Sequence, residues 1–589
     1  MYLNVVAFDL DGTIAQNDQV NTQTWVKLAE AKEKGFKLML VTGRCFDDLK
    51  AIGPFEEYCK AIVAENGALV YFPDNETLVM PFGQLANEVK DQLIASGIPL
   101  EIGKAIVATR VPHDKTVLEV LGKTNFAAIA EYNKGAIMVL PHGATKGSGL
   151  LFALNELGLS AHTMVSIGDA ENDRSLFEQS ELAVAVQNAT EDIKKMSDLT
   201  LDAPNGTGVN AFLNQLINHK IPVHTPRTKQ RIQIGHRLDQ EEIFMSPLRL
   251  LNGNLCITGD SRSGKSWIAG LIIEKLLEQE YQVCVIDPEG DYYGINAFPH
   301  AIVMGRNDPK LPEVPDLLTL FEYSTTSIVL DMSSKPLNFQ MEYVEELLHG
   351  LFSLKESRGK PQLVIMDEAH YFCGPENGAV KELIMKHMSH GGIALITFNP
   401  NLMDANVLEQ VDHWLITKLQ GSQQYDAIRP YLPAFNNDEM REKLGHLPVG
   451  KAYMYCKNSD DTLHHQAEII DFSHTRRIVR HIRHLNKYLR APVQRSKQFY
   501  FHVPEGYDGA VTAANLWEFG RRLREVPLDT ILFHIERMDF RRWAAEVLHD
   551  IELANRIQKI TRRQLKGENL RHELVATVDL RFEELQKMV

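Results

Sequence analysis

Val5-Val6-Ala7-Phe8-Asp9-Leu10-Asp11-Gly12-Thr13 opens the chain and decides how its first part folds. An apolar run without alternation marks a strand buried on both faces, as in a parallel sheet. The run ends on two carboxylates one residue apart, and Gly12 lets the backbone turn away tightly. An aspartate at the tip of a buried strand can attack phosphorus if it is held in line and a cation offsets the charge. Asp9 has that place. Asp11 can protonate the leaving oxygen and then activate water.

Working outward, short apolar runs alternate with amphipathic stretches as far as residue 215. Leu38-Met39-Leu40-Val41, Ile62-Val63-Ala64 and Met164-Val165-Ser166-Ile167 read as further strands of βα units. Between about 80 and 140 the pattern is broken by a small βαβ-like insertion carrying Ala105–Ala108 and Ile137–Leu140. The chemistry of the opening run needs phosphoryl donors, a cation and metal ligands. Thr42-Gly43-Arg44, Lys146 and Gly168-Asp169-Ala170-Glu171-Asn172-Asp173 supply them.

These blocks, in this order, resemble the haloacid dehalogenase (HAD) phosphohydrolases over about 1–215. Glu65-Asn66-Gly67-Ala68 and the late Lys146 point to the Cof-like branch. The resemblance implies a HAD Rossmann-like domain with an inserted α/β cap at about 80–140. It implies an aspartyl-phosphate on Asp9, acid/base work by Asp11, and phosphoryl binding by Thr42 and Lys146. Asp9, the Asp11 carbonyl and Asp169 would hold Mg²⁺, supported by Asp173 and Asn172. The substrate implied is a small phosphorylated molecule, a sugar phosphate or a nucleotide.

A second phosphate site is written at Gly259-Asp260-Ser261-Arg262-Ser263-Gly264-Lys265-Ser266, between the strand Leu255–Thr258 and a helix expected from Trp267 to Glu278. This context makes Gly-x-x-x-x-Gly-Lys-Ser a nucleotide cradle. Its N–H groups wrap phosphates at a helix N-terminus, with Gly259, Ser263 and Gly264 shaping the loop. Lys265 reaches the β/γ-phosphates and Ser266 ligates Mg²⁺. A later strand ends Leu363-Val364-Ile365-Met366-Asp367-Glu368, where Asp367 supports Mg²⁺ and Glu368 polarises water. Val283–Asp287, Ser327–Asp331 and Ala394–Thr397 are further strands.

The series Asp287-Pro288-Glu289-Gly290-Asp291-Tyr292, Asp367-Glu368-Ala369-His370 and Leu447-Pro448-Val449-Gly450-Lys451-Ala452 resembles the HerA/FtsK ATPases over about 240–470. That group often has a Thr-Gln-Arg-Pro-like sensor; this chain reads Thr397-Phe398-Asn399-Pro400, which leaves the role to Asn399. The resemblance implies a RecA-like domain, ATP and a homo-oligomeric ring, a hexamer. An arginine from a neighbouring subunit would complete the site, with Arg429 and Arg441 as candidates.

The expected order is therefore an α/β HAD domain over 1–215, a linker over 216–237 with Pro222 and Pro226, an ATPase over 238–472, and a mostly helical domain over 473–589. Length agrees, since 589 residues at ~150 per domain make about four units. The net charge of −15 and pI ≈ 5.8 argue against a surface that coats nucleic acid, though not against a local basic channel. Thr475 to Arg495 reads as a basic amphipathic helix, favoured as a solvated or assembly face over a phosphate-contacting element near a central pore. Phe533–Trp543 reads as a helix packing Phe533, Phe540 and Trp543 into a bundle, favoured over a metal or catalytic patch of His534, Met538, Arg541 and Arg542. Six scattered cysteines with no Cys-x-x-Cys pair read as thiols of a reducing cytoplasm. No run of ~18 apolar residues offers a membrane span, and the opening strand leaves no room for a signal peptide.

The leading reading is a Mg²⁺-dependent phosphatase head on a ring-forming ATPase. A second makes the ATPase a double-stranded DNA motor in nucleic-acid processing or phage defence, its head acting on nucleotides or phosphate ends. A third makes ATP only the organiser of a ring that clusters the heads.

Overall fold

The computed structural model describes residues 3–124, 127–218, 231–237, 241–305, 310–323, 325–433, 438–457, 468–472, 493, 498–502, 511–548, 550–563, 565 and 567–587. The opening strand Val5–Phe8 is buried at every position. It lies inside an eight-stranded sheet between Met164–Gly168 and Lys37–Val41, parallel to both. The chain builds outward through Cys59–Ala64, then returns past the opening strand to add Leu182–Ala185 and Leu199–Thr200. A parallel sheet that reverses its strand order in this way opens a crevice at the carboxyl ends of the strands. The antiparallel strands Leu69–Phe72 and Thr77–Val79 finish one edge.

The insertion is a cap with its own core, including Val89, Leu93, Val117 and Ile137. Helices Asn87–Ala95 and Asp114–Lys123 accompany a four-stranded sheet in the order Ala128–Asn133, Ala136–Pro141, Val107–Arg110, Glu101–Ile102. Its neighbouring strands all pair antiparallel. Val107–Arg110 and Ala128–Asn133, joined by the helix Asp114–Lys123, run parallel to each other on either side of Ala136–Pro141, so the βαβ-like expectation holds as a βαβ unit split by an inserted strand. The cap is tied to the head by the buried Glu65 carboxylate, which accepts from the N–H groups of Lys104, Ala105 and Ile106 at 2.9, 2.7 and 3.2 Å.

The second sheet has eleven strands among the described residues. His413–Ile416, Asn254–Thr258, Ile393–Thr397, Leu363–Met366, Val283–Asp287, Ser327–Asp331 and Ala301–Met304 are parallel neighbours. Lys451–Cys456, Glu468–Asp471, Ile232–His236 and Glu242–Met245 extend it antiparallel. Ile232–His236 falls in the stretch assigned to a linker. Ile232 and Ile234 alternate into the core at 0% exposure, so the connection ends earlier than residue 237.

Beyond it, the strands Phe499–Phe501 and Val511–Ala513 precede helices Leu516–Glu525, Leu528–Glu536, Asp539–Glu546, Ile551–Arg562 and Glu568–Lys587. Phe499, Phe519, Phe540 and Trp543 pack together in their core. The single helix expected over Phe533–Trp543 is broken at Met538, which is left-handed (φ 61), and Phe533 lies outside the core at 36% exposure. The basic segment from Thr475 to Arg495 lies outside the described residues except for Val493. All six cysteines are free thiols, and no described helix is long and apolar enough to cross a membrane.

The head and the second unit meet at the amino ends of both sheets. Tyr281, just before Val283–Asp287, donates its hydroxyl to Glu181, just before Leu182–Ala185, at 2.8 Å. His162 stacks on Tyr281 with ring centroids 3.8 Å apart. Gly359 is left-handed (φ 70), and a Cβ there would stand 2.5 Å from Thr163. Asp9 and the loop from Gly259 to Ser266 both follow the carboxyl ends of their strands, so neither faces this seam. Tyr281→Phe removes a buried hydrogen bond to a carboxylate. It should lower stability by about 1–3 kcal/mol, read as an earlier thermal unfolding transition of the full chain. An unchanged transition would show that the seam does not depend on this bond.

Candidate active sites

At the first crevice, the N–H of Asp9 continues the strand ladder to Ile167 at 2.9 Å, which fixes its carboxylate at the tip of the strand. Thr145 and Ser148 form a capping box that starts the helix Lys146–Glu156 and sets Lys146 at its first turn. The Lys146 ammonium, 1% exposed, bridges Asp9 at 2.5 Å and Asp173 at 2.7 Å. The other Asp173 oxygen accepts from the N–H groups of Asp169 and Ala170 at 2.8 and 3.0 Å. Asp173 is thus engaged at both oxygens and orients Lys146 and the Asp169 loop.

Asp9, Asp169 and Asp173 offer oxygens within 4.8 Å of one another, all buried. Burial pushes the Asp9 carboxyl well above its usual range; Lys146 opposes this, while Asp173 and Asp169 add to it. Asp169 is raised by the same cause, with Lys134 opposing. Burial works against the charge on Lys146, but Asp173 and Asp9 hold its pKa above the ordinary lysine value. A dense set of hard oxygen donors fits a small divalent cation such as Mg²⁺.

Thr42 is buried after Lys37–Val41, and its hydroxyl accepts from the Arg44 N–H at 3.2 Å. The Asp11 carboxylate stands apart from the acidic trio. Arg44 grips it from Nε at 2.7 Å and Nη2 at 2.6 Å, and also binds Asp18. The Asn172 amide donates to Asn66 at 3.1 Å, and Asn66 donates to Glu131 of the cap at 2.9 Å. Burial raises the pKa of Glu131. Lys134, at the tip of the same cap hairpin, ion-pairs with Asp169. The sequence reading gave no role to Arg44, Glu131 or Lys134. The Lys134-Gly135 turn is legible locally, but where the tip lands depends on how the cap docks.

At the second site the fully buried strand Asn254–Thr258 runs into a loop where Gly259 (φ 149) and Gly264 (φ 104) take conformations that favour glycine. A Cβ on Gly259 would stand 2.0 Å from the Thr417 hydroxyl, to which Ser263 hydrogen-bonds. The helix Lys265–Leu277 starts at the loop, and the buried Lys265 ammonium donates to the Asp260 carbonyl at 2.8 Å. Burial lowers its pKa, against Glu368, Asp367, Asp260 and Asp291.

Asp367 is buried beside Glu368, which is left-handed (φ 46). Burial, then Glu368 and Asp291, hold Asp367 well above the usual carboxylate range. Ser266 donates to Asp291 at 3.2 Å. Asp291 therefore joins the Ser266 end of the site, a role its motif did not disclose. Asp287 builds the turn that presents it, accepting from Gly290 at 2.6 Å and Tyr292 at 3.0 Å.

At the expected sensor, the Asn399 N–H donates to Thr397 at 2.9 Å. Phe398 stands edge-on to His370, its centroid 6.0 Å from the Lys265 ammonium. Burial lowers His370 to about 4, with Lys265 adding to the effect, so the ring is neutral. Arg429 and Arg441 are both exposed.

A family model described as haloacid dehalogenase-like hydrolase matches residues 6–96 and 99–213, and one described as the central domain of helicase HerA matches 232–373. The phosphoglycolate phosphatase of Methanopyrus kandleri is 29% identical over 226 residues, covering 36% of this chain and 97% of that protein. Phosphoglycolate phosphatase 2 of Saccharolobus solfataricus is 30% identical over 221 residues, covering 36% and 92%. A solved haloacid dehalogenase-like hydrolase from Bacteroides thetaiotaomicron is 18% identical with a TM-score of 0.32, over 36% of this chain and 99% of that one.

Proposed function

From the premise that the chain belongs, through residues 6–213, to the haloacid dehalogenase-like hydrolases and carries a helicase HerA central domain at 232–373, we propose a Mg²⁺-dependent phosphatase head on an ATP-hydrolysing, ring-forming engine. The chain is an enzyme, a phosphoric monoester hydrolase and an ATPase. The observation that carries the head's mechanism is the Lys146 bridge between Asp9 and Asp173 beside Asp169.

Asp9 attacks the phosphorus and carries the phosphoryl group as an aspartyl-phosphate. Asp11 protonates the leaving oxygen and then takes a proton from the water that releases phosphate. Lys146 and Thr42 bind the phosphoryl oxygens, and Asp173 keeps Lys146 aimed. Asp9, Asp169 and the Asp11 carbonyl would hold Mg²⁺, with Asp173 and Asn172 behind them. Bound there, the ion would offset the charge gathered on the phosphoryl group.

The relatives are named for phosphoglycolate, and that name supports a short, carboxylate-bearing phosphomonoester as substrate ahead of a sugar phosphate or nucleotide. At the second site, Lys265 and the loop of Gly259, Ser263 and Gly264 bind ATP. Ser266 and Asp367 would hold its Mg²⁺, Glu368 would polarise water, and Asn399 would take the sensor place. The exposed Arg429 and Arg441 are available to a neighbouring subunit in a ring, as a finger in trans must be.

The test of the head is phosphate release from 2-phosphoglycolate by the full chain. Chelation with EDTA should cut the rate by roughly 100-fold or more, and added Mg²⁺ should restore it, since the ion supplies several kcal/mol of charge stabilisation. Turnover that survives chelation would sink the reading.

A further inference from the structure

The cap hairpin pairs Asn133 with Ala136 and leaves Lys134-Gly135 as a two-residue turn. Both turn residues are left-handed, at φ 45 and 83, the geometry that matches the twist of the strands and makes a stiff tip. The tip is docked, since Glu131 on the same hairpin holds Asn66 at 2.9 Å and Met138 packs against the head through Ala68 and Ala144. The Lys134 ammonium, on a side chain 48% exposed, reaches the fully buried Asp169 carboxylate. It also stands 3.0 Å from where a Cβ on Gly12 would lie, directly over the Asp9–Asp11 turn.

The other cations here are committed. Lys146 is buried and bridged to Asp9 and Asp173, and Arg44 is shared by Asp11 and Asp18. Lys134 differs in being carried by the cap, half in solvent, and bonded to a carboxylate that the Mg²⁺ would claim. Once Asp169 is so engaged, the ammonium is released to pair with another anion within its reach.

We propose that Lys134 is the specificity residue of the head, pairing from the cap with a carboxylate on the leaving alcohol of the phosphoester. The proposal rests on the phosphatase reading above.

The test compares the full chain with its Lys134→Met and Lys134→Arg variants on 2-phosphoglycolate and on p-nitrophenyl phosphate, which has no second anion. A lost charge-assisted hydrogen bond should lower the ratio of kcat/KM for 2-phosphoglycolate over p-nitrophenyl phosphate by about 10–100-fold in Lys134→Met, chiefly through KM. Lys134→Arg should recover most of it. Calorimetry supplies a readout without turnover. In an Asp9→Asn background, 2-phosphoglycolate should bind Lys134→Met more weakly by a similar factor, while Mg²⁺ alone should bind it more tightly because no ammonium competes for Asp169. An unchanged ratio, or unchanged binding of 2-phosphoglycolate, would overturn the proposal. If the native head cleaves neither ester, the phosphatase reading fails, and the calorimetry still decides whether Lys134 reads the carboxylate.

Discussion

Asp9→Asn should abolish phosphate release from small phosphomonoesters, by on the order of 10⁴-fold or more, and leave ATP hydrolysis intact. The substitution keeps the shape of the side chain and removes its charge and nucleophilicity. It should not unfold the head. The carboxylate of Asp9 is desolvated and crowded by Asp173 and Asp169, so a neutral amide relieves repulsion, while Lys146 keeps Asp173 at 2.7 Å. Thermal unfolding at or above the native temperature, with turnover gone, is the expected pair of results. The second site should not respond, because the two units meet at the amino ends of their sheets and each site lies at the carboxyl ends. Near-native turnover by Asp9→Asn would remove the nucleophile from the mechanism, and a parallel loss of ATPase would mean that the seam transmits more than support.

What the sequence discloses about this molecule depends on whether the information is local. Val5–Phe8 and Leu255–Thr258 are legible because strands buried on both faces of a parallel sheet are continuous apolar runs, and each empties into a phosphate motif. Ile232–His236 is not, because it is short, alternates about Gly235, and follows a Pro-containing stretch, so its pairing with Glu242–Met245 and Asp471 is a tertiary fact. The cap shows the same limit. Its apolar runs can be read, but antiparallel pairing and the landing of Lys134 on Asp169 are set by docking. Asp291 has no role legible in the Asp287–Tyr292 motif, because only the folded turn built on Asp287 brings it to Ser266. Phe533 looked like core by composition and is exposed because the left-handed Met538 splits the helix that would have buried it.

Lys265→Ala should reduce ATP hydrolysis by on the order of 10²–10³-fold, as loss of a preorganised cation at the transferring phosphoryl group does, and leave the head's turnover unchanged. The ammonium is buried and held by the Asp260 carbonyl at 2.8 Å, with Asp367 and Glu368 nearby. A bound nucleotide phosphate would compete with that carbonyl for the Lys265 ammonium. Removing it leaves the acid pair facing the γ-phosphate with its repulsion unmet. Adding double-stranded DNA to the native chain then separates the motor from the scaffold. A translocating ring should hydrolyse ATP faster on DNA and lose the gain steeply with salt, because the contacts are to phosphates, and Lys265→Ala should abolish the gain. A ring that only clusters heads should ignore DNA. Full ATPase activity in Lys265→Ala would rule out both, since each requires this loop to grip a nucleotide.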